Sequence, residues 1–152
     1  MQIKVTNRGT AEVINFDIPY IVISIYSTGS RPANIPNHLT CLGILPICFD
    51  DVPYDINTDR VQCKAIAEDQ ANQIWTFVDY YLNCNKDISH QKAELILIHC
   101  DAGVCRSPAV AAAIDLVYTG NDSKWFKPFY LPNKKVYTTM LKVKGLSNDY
   151  SE

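Results

Sequence analysis

Three short apolar runs punctuate the chain: Tyr20–Tyr26 (YIVISIY), residues 42–49 (LGILPICF) and Leu95–His99 (LILIH). Each is rich in Ile, Leu and Val and ends in turn or polar residues, which predicts buried central strands. Pro46 removes a ladder donor from the second run and directs it to a sheet edge or a bulge. Between the second and third runs, residues 58–82 place Ala67, Ala71, Ile74, Val78 and Tyr81 at alternating spacings of four and three, with Glu68, Asp69, Asn72, Gln73 and Asp79 mostly elsewhere. That pattern predicts an amphipathic helix, with Thr58 able to cap it and Asp59 in its first turn. A second helix is predicted from near Ser107, with Pro108 in its first turn, Val110, Ala113, Ile114 and Val117 on one face, and Gly120 as its stop. Residues 133–144 (NKKVYTTMLKVK) predict a last helix with Val136, Met140 and Val143 inward, although the Val, Tyr and Thr content also suits a strand.

Strands alternating with helices predict an α/β fold, a central and mostly parallel sheet flanked by helices. No repeat or low-complexity tract divides the chain, and residues 27–36 form only a short Ser/Pro/Gly-rich surface loop. With 152 residues and 47% hydrophobic content, the expectation is one domain, residues 1–152, in which 1–19 and 145–152 are peripheral.

The net charge of −2 offers no general attraction to nucleic acid or an anionic membrane, so neither is expected as a partner and any anion must be drawn by a local site. The first residues lack a basic stretch leading into an apolar run, and no segment approaches the roughly 20 apolar residues of a membrane span, so a cytoplasmic location is expected. The six cysteines show no Cys-x-x-Cys pair and no zinc-ligand spacing, and no metal or other cofactor is expected, because Arg106 and the oriented amides of the loop described below supply positive charge. Cys41, Cys48, Cys63 and Cys84 read as reduced core cysteines.

Chemistry concentrates in residues 94–114, ELILIHCDAGVCRSPAVAAAI. A strand, a short loop containing Gly103 and a helix entered through Arg-Ser-Pro turn successive backbone N–H groups inward and aim a helix N-terminus at the loop's centre, which makes an anion cradle. Asp101, Ala102, Gly103, Val104 and Cys105 supply its backbone. Cys100 stands at the strand's end, where the helix dipole and Arg106 both favour thiolate over thiol. Arg106, six residues on, can grip two phosphoryl oxygens with its planar fork, and Ser107 brings a hydroxyl to the sulfur. His99 alternates to the strand's opposite face, which suits structural support by hydrogen bonding rather than service as the nucleophile's base. An Arg at this offset from one of six cysteines arises by chance about one time in four. The added His, apolar strand, glycine, Ser-Pro and helix lower that to under about 1%.

Expelling an alkoxide or phenoxide requires a carboxylic acid opposite the cradle. Asp50 and Asp51 end the second apolar run and open on the same side as Cys100 if the two strands are parallel. Neighbouring residues point opposite ways, so only one of the pair can face the site. Asp101 is expected to point outward, since a carboxylate facing the phosphate repels it.

HCDAGVCRS resembles the His-Cys-x5-Arg-Ser/Thr signature of the protein tyrosine phosphatase superfamily, in its small dual-specificity-like branch, and VISI, ICFDDV and DAGVCRSPAVAAAI are similar to bacterial and viral members. The similarity spans residues 20–141. It implies a dual-specificity-phosphatase-like fold, a phosphocysteine intermediate on Cys100, a phosphorylated protein or small phosphomonoester as substrate, and, by likeness to FDD-type loops, Asp51 as the acid with Asp50 second. Cys105 departs from the branch's usual small residue and is similar to the CRSP of low-molecular-weight phosphatases and arsenate reductases, whose signature lies at the N-terminus. Cys105 could trap oxidised Cys100 as a disulfide or simply pack.

Two other readings compete. One is a silent phosphate-binding module; the other is thiol redox chemistry, such as arsenate reduction, using Cys100, Cys105 and a further cysteine such as Cys84. RNA 5′-phosphatase activity is disfavoured because DAGVC holds no basic residue. The loops at 27–36 and 121–131 could wall the site, with Trp125, Phe126, Phe129 and Tyr130 expected to pack.

Overall fold

The three apolar runs all form strands, two of them central and buried and the residue 42–49 run a mostly half-buried sheet edge, and a fourth strand joins them. A computed structural model describes residues 1–83 and 91–146. In chain order the strands are β1 (Gln2–Thr6), β2 (Tyr20–Tyr26), β3 (Cys41–Cys48), a small hairpin of β4 (Ile56–Asn57) and β5 (Gln62–Cys63), and β6 (Leu95–His99). The main sheet runs β1-β6-β2-β3 and all its pairings are parallel. Pro46 therefore sits on an edge strand, where a missing N–H costs least. Because the strands are parallel, the chain leaves β1, β2, β3 and β6 at one rim of the sheet, and Asn7, Ser27, Phe49 and Cys100 all lie there.

Alternation along β2 and β6 divides the core. Ile21, Ile23, Ile25, Ile96 and Ile98 face three helices, α2 (Glu68–Leu82), α3 (Arg106–Thr119) and α4 (Lys134–Val143). Tyr20, Val22, Leu95 and Leu97 face the N-terminal segment, with Ala11 of the short α1 (Arg8–Ala11) and with Phe16 and Ile18. Each fully buried Ile or Leu contributes about 1.5–3 kcal/mol, so this two-sided burial is the main force that holds the sheet. Residues 109–114 of α3 are completely buried and mostly alanine, which lets the helix lie close against the sheet. Gly120 ends α3 in the left-handed region at φ +80°, as its position in the sequence predicts. The Asn133 side chain caps α4 by accepting from Val136 N, and Val136 and Met140 face inward.

The structure changes several local expectations. The 58–82 helix is shorter, because Thr58 Oγ1 accepts from Val61 N at 3.0 Å to make a hairpin turn instead of a helix cap. Asp55 and Asp50 then draw back the following chain by accepting from Ala65 N and Lys64 N. Helix α2 begins after Ala67, whose N–H is taken by Gln70 Oε1, and it buries Trp75 and Leu82 along with Ala71, Ile74 and Val78. Residues 2–6, for which the pattern predicts no strand, form β1 because their backbone pairs with β6 from Gln2↔Leu95 to Thr6↔His99. Cys41, Cys48 and Cys63 are free thiols but only half-buried rather than in the core, and Cys84 lies outside the described residues. Trp125 is buried with its Nε1 on Asp115, and Tyr130 packs against it, but Phe126 and Phe129 are 51% and 84% exposed. No helix among the described residues is long and apolar enough to cross a membrane.

Candidate active site

The site begins where β6 ends. Strand alternation sends the His99 ring to one side and the Cys100 thiol to the other. His99 is fully buried, with Nδ1 3.3 Å from the Cys100 carbonyl and Nε2 2.6 Å from Ser24 Oγ. A carbonyl only accepts, so Nδ1 carries the proton and Nε2 accepts from the Ser24 hydroxyl. Burial, opposed in part by the Cys100 carbonyl, holds the imidazole pKa below its ordinary value. His99 is thus a neutral brace between β6 and β2, as the alternation implies.

Cys100 is 2% exposed, and its Sγ lies 3.1 Å from Ser107 Oγ and 3.3 Å from Gly103 N. The loop of Asp101, Ala102, Gly103, Val104 and Cys105 curls around it into the first turn of α3. Gly103 is required here twice over. Its φ is +73°, and a Cβ there meets the Thr6 carbonyl at 2.8 Å and Asn7 N at 2.9 Å, both backbone atoms that cannot swing aside. The loop's back wall is therefore the β1–α1 turn, which also donates Arg8 N to the Asp101 carbonyl at 3.2 Å. We expect Gly103→Ala to lower unfolding free energy by about 2–4 kcal/mol, the sum of left-handed strain and a backbone clash, as read by urea denaturation. An unchanged midpoint would mean that the loop can open away from Thr6.

Two more segments wall the loop. Leu131 N donates to the Val104 carbonyl at 2.8 Å and Asn133 N to the Cys105 carbonyl at 2.9 Å, so residues 131–133 lie against its outer side. On the other side stands Ser27, at the end of β2. The Arg106 guanidinium is almost wholly buried and donates to Ser27 Oγ at 2.9 Å, the Phe49 carbonyl at 2.8 Å and Asp101 Oδ2 at 3.0 Å.

Asp101 does not turn simply outward. Its side chain is half exposed, but its carboxylate folds back onto Arg106 and Ser27. Burial raises its pKa, yet the Ser27 and Arg106 hydrogen bonds and the Arg106 and Arg8 charges outweigh that, and the net shift is downward. Opposite charge at 3.0 Å decides the rotamer over the repulsion expected from a bound anion.

The two neighbouring aspartates have separate surroundings. Asp50 is 6% exposed and accepts from Thr28 N at 2.9 Å, Thr28 Oγ1 at 2.6 Å and Lys64 N at 2.7 Å. Desolvation raises its pKa, but these bonds and the Arg106 charge lower it further, so it is an ionised staple that ties the ends of β2 and β3 to the hairpin. Asp51 is exposed, and Oδ1 accepts from Asn133 Nδ2 at 2.7 Å. It also lies against the Cys105 thiol, whose pKa is pushed up to about 11 by burial first, then by Asp51, then by Cys100. At pH 7 only about one part in ten thousand of such a thiol is thiolate, which disfavours rapid attack by Cys105 on an oxidised Cys100.

Ser27, Thr28 and Asn133 were not among the residues singled out by the sequence. Asn133 carries an N-cap signal before Lys134, and Ser27 and Thr28 open the 27–36 loop expected to wall the site, but nothing local points Ser27 at Asp101 and Arg106, 74 and 79 positions on, or Thr28 at Asp50, 22 positions on.

No family model matches the chain, and no curated protein matches it. Solved structures do share its fold. The chain is similar to the human tyrosine phosphatase-like serine/threonine/tyrosine-interacting protein, at 18% identity and a TM-score of 0.59 over 95% of this chain and 91% of that one. It is also similar to human DUSP28, at 14% identity and a TM-score of 0.55 over 94% and 91% of the two chains. A third is Tk-PTP in the active form, at 12% identity and a TM-score of 0.54 over 95% and 92%. The parallel sheet and its flanking helices are thus the fold of tyrosine and dual-specificity phosphatase structures.

Proposed function

We propose that the chain is a cysteine-dependent phosphomonoester hydrolase of the tyrosine/dual-specificity phosphatase kind, acting as one domain in the cytoplasm on a phosphorylated protein or small phosphomonoester. One observation carries the reading: Cys100 Sγ accepts from Gly103 N–H at 3.3 Å and lies 3.1 Å from the Ser107 hydroxyl oxygen, inside the loop that leads into Arg106. Donors that stabilise a thiolate there also suit a phosphoryl group bound above it.

In the first step Cys100 Sγ attacks phosphorus, the S–P bond forms and the P–O bond to the leaving group breaks. Loop amides and Arg106 hold the equatorial oxygens while Asp51 delivers its proton to the departing oxygen. In the second, Asp51 takes a proton from water, the water oxygen bonds to phosphorus and the S–P bond breaks. Cys100 leaves as thiolate, held by the Ser107 hydroxyl.

Asp51 is the acid in this reading because Asp50 has its oxygens occupied by Thr28 and Lys64. Asp51→Asn is expected to lower kcat on a phosphate monoester with a poor leaving group by about 10²–10³-fold with little change in stability. Asp50→Asn is expected instead to destabilise the fold by about 1–3 kcal/mol, by weakening the Thr28 and Lys64 contacts. Reversed effects in kinetics and urea melts would move the acid to Asp50.

The reading as a whole is tested with p-nitrophenyl phosphate in reductant and chelator, followed by acid quench and mass spectrometry. Turnover with one phosphoryl group trapped on Cys100 supports it. The likeness to a phosphatase-like interacting protein favours one alternative, a module that binds phosphate without turnover. Inorganic phosphate bound without hydrolysis would select that alternative.

A further inference from the structure

A guanidinium carries five N–H donors in one plane. In Arg106 three are taken, with Nη1 donating to Ser27 Oγ and the Phe49 carbonyl and Nη2 donating to Asp101 Oδ2. Ser27 Oγ also donates to the same Asp101 oxygen at 2.9 Å. These two acceptors therefore sit side by side across the outer edge of the guanidinium, the edge made by Nη1 and Nη2. Among the described residues no acceptor is bonded to Nε–H or to the second Nη2–H. Those are the parallel donors of the other edge, the pair a tetrahedral oxyanion accepts at two points.

We propose that Asp101 and Ser27 are positioning residues that hold Arg106 by its outer edge and so reserve the Nε/Nη2 edge for two oxygens of a phosphoryl group. This rests on the phosphate-binding reading of the loop and deepens it. A long side chain left unclamped has torsions to lose on binding, and a held one has already lost them. Asp101 alone would be a costly neighbour for an anion, but here its charge is matched by Arg106 and its oxygen is also hydrogen-bonded by Ser27. The competing role, an internal carboxylate that contends with phosphate for Arg106, makes the opposite forecast: removing a clamp weakens anion binding, whereas removing a competitor strengthens it.

The measurement is calorimetric titration of inorganic tungstate into the full chain carrying Cys100→Ser, so that binding is read without turnover. Adding Asp101→Ala is expected to raise Kd about tenfold, the scale of a lost charge-assisted bond. Adding Ser27→Ala is expected to act in the same direction, and Asp101→Asn, which keeps an acceptor oxygen, to lose less. In an Arg106→Lys background Asp101→Ala should shift Kd less than about twofold, since lysine has no edge to orient. Thermal melts separate misfolded variants from weakened ones. Equal or tighter tungstate binding by Asp101→Ala would overturn the proposal, as would a full tenfold loss in the lysine background. A chain that shows the expected pattern but never hydrolyses p-nitrophenyl phosphate refutes the hydrolase reading alone.

Discussion

Cys100→Ser is expected to lower turnover of p-nitrophenyl phosphate by about 10⁴-fold or more while leaving the fold and oxyanion binding in place. The substitution exchanges one small buried atom for another, so packing around a side chain 2% exposed changes little. Chemistry changes far more. A serine oxygen in the same place, beside the Gly103 N–H and the Ser107 hydroxyl, is a far weaker nucleophile than sulfur. Removal of the attacking group in other covalent enzymes costs on this scale. Steady-state kinetics with titration of inorganic phosphate checks both halves. Residual activity within about tenfold of the parent would remove Cys100 from the reaction, and phosphate binding lost together with activity would point to a collapsed loop.

Arg106→Lys is expected to cut kcat/KM by about 10²–10³-fold, the usual cost of removing a transition-state donor from a preorganised site. Lysine keeps the charge but presents a point in place of a planar fork. It cannot reach Ser27, the Phe49 carbonyl and Asp101 together, as Arg106 does. A stability loss of about 1–2 kcal/mol should accompany the kinetic one, because the buried Phe49 carbonyl loses its donor; the half-exposed Asp101 is rehydrated and adds little. Kinetics and urea denaturation of the same preparation measure the two effects. A kcat/KM within about fivefold of the parent would show that the fork is not used in the reaction.

The Cys100–Arg106 relation is readable along the chain because strand, loop and helix are contiguous, and local rules for strand ends, glycine and helix entry all act within about 20 residues. Gly103 is a partial case. A loop glycine is visible in the sequence, but the close approach of the Thr6 backbone that makes it obligatory is not. The choice between Asp50 and Asp51 was open for a related reason: β3 ends at Cys48, so alternation no longer governs where the next side chains point. Their directions follow from Thr28 and Lys64 on one side and Asn133 on the other.

The helix expected over 58–82 shows periodicity overruled at one end. Ala67 continues the apolar spacing, but Asp50 and Asp55 accept the N–H groups of Lys64 and Ala65 and hold the preceding chain in a hairpin. Strand β1 was invisible in the opposite way, since Gln2 and Lys4 dilute an edge strand whose backbone pairing with β6 does the ordering.

By itself, the sequence determined the α/β alternation, the three apolar strands, the ends of α3, and Cys100, its loop and Arg106 as one local unit, because hydrophobic period and turn chemistry act over short distances. Tertiary structure alone decided which aspartate is a staple, which atoms of the walling segments touch the loop and how Arg106 is held. Those contacts join residues such as Ser27 and Arg106, 79 positions apart, and only packing of the finished sheet brings their atoms within hydrogen-bond reach.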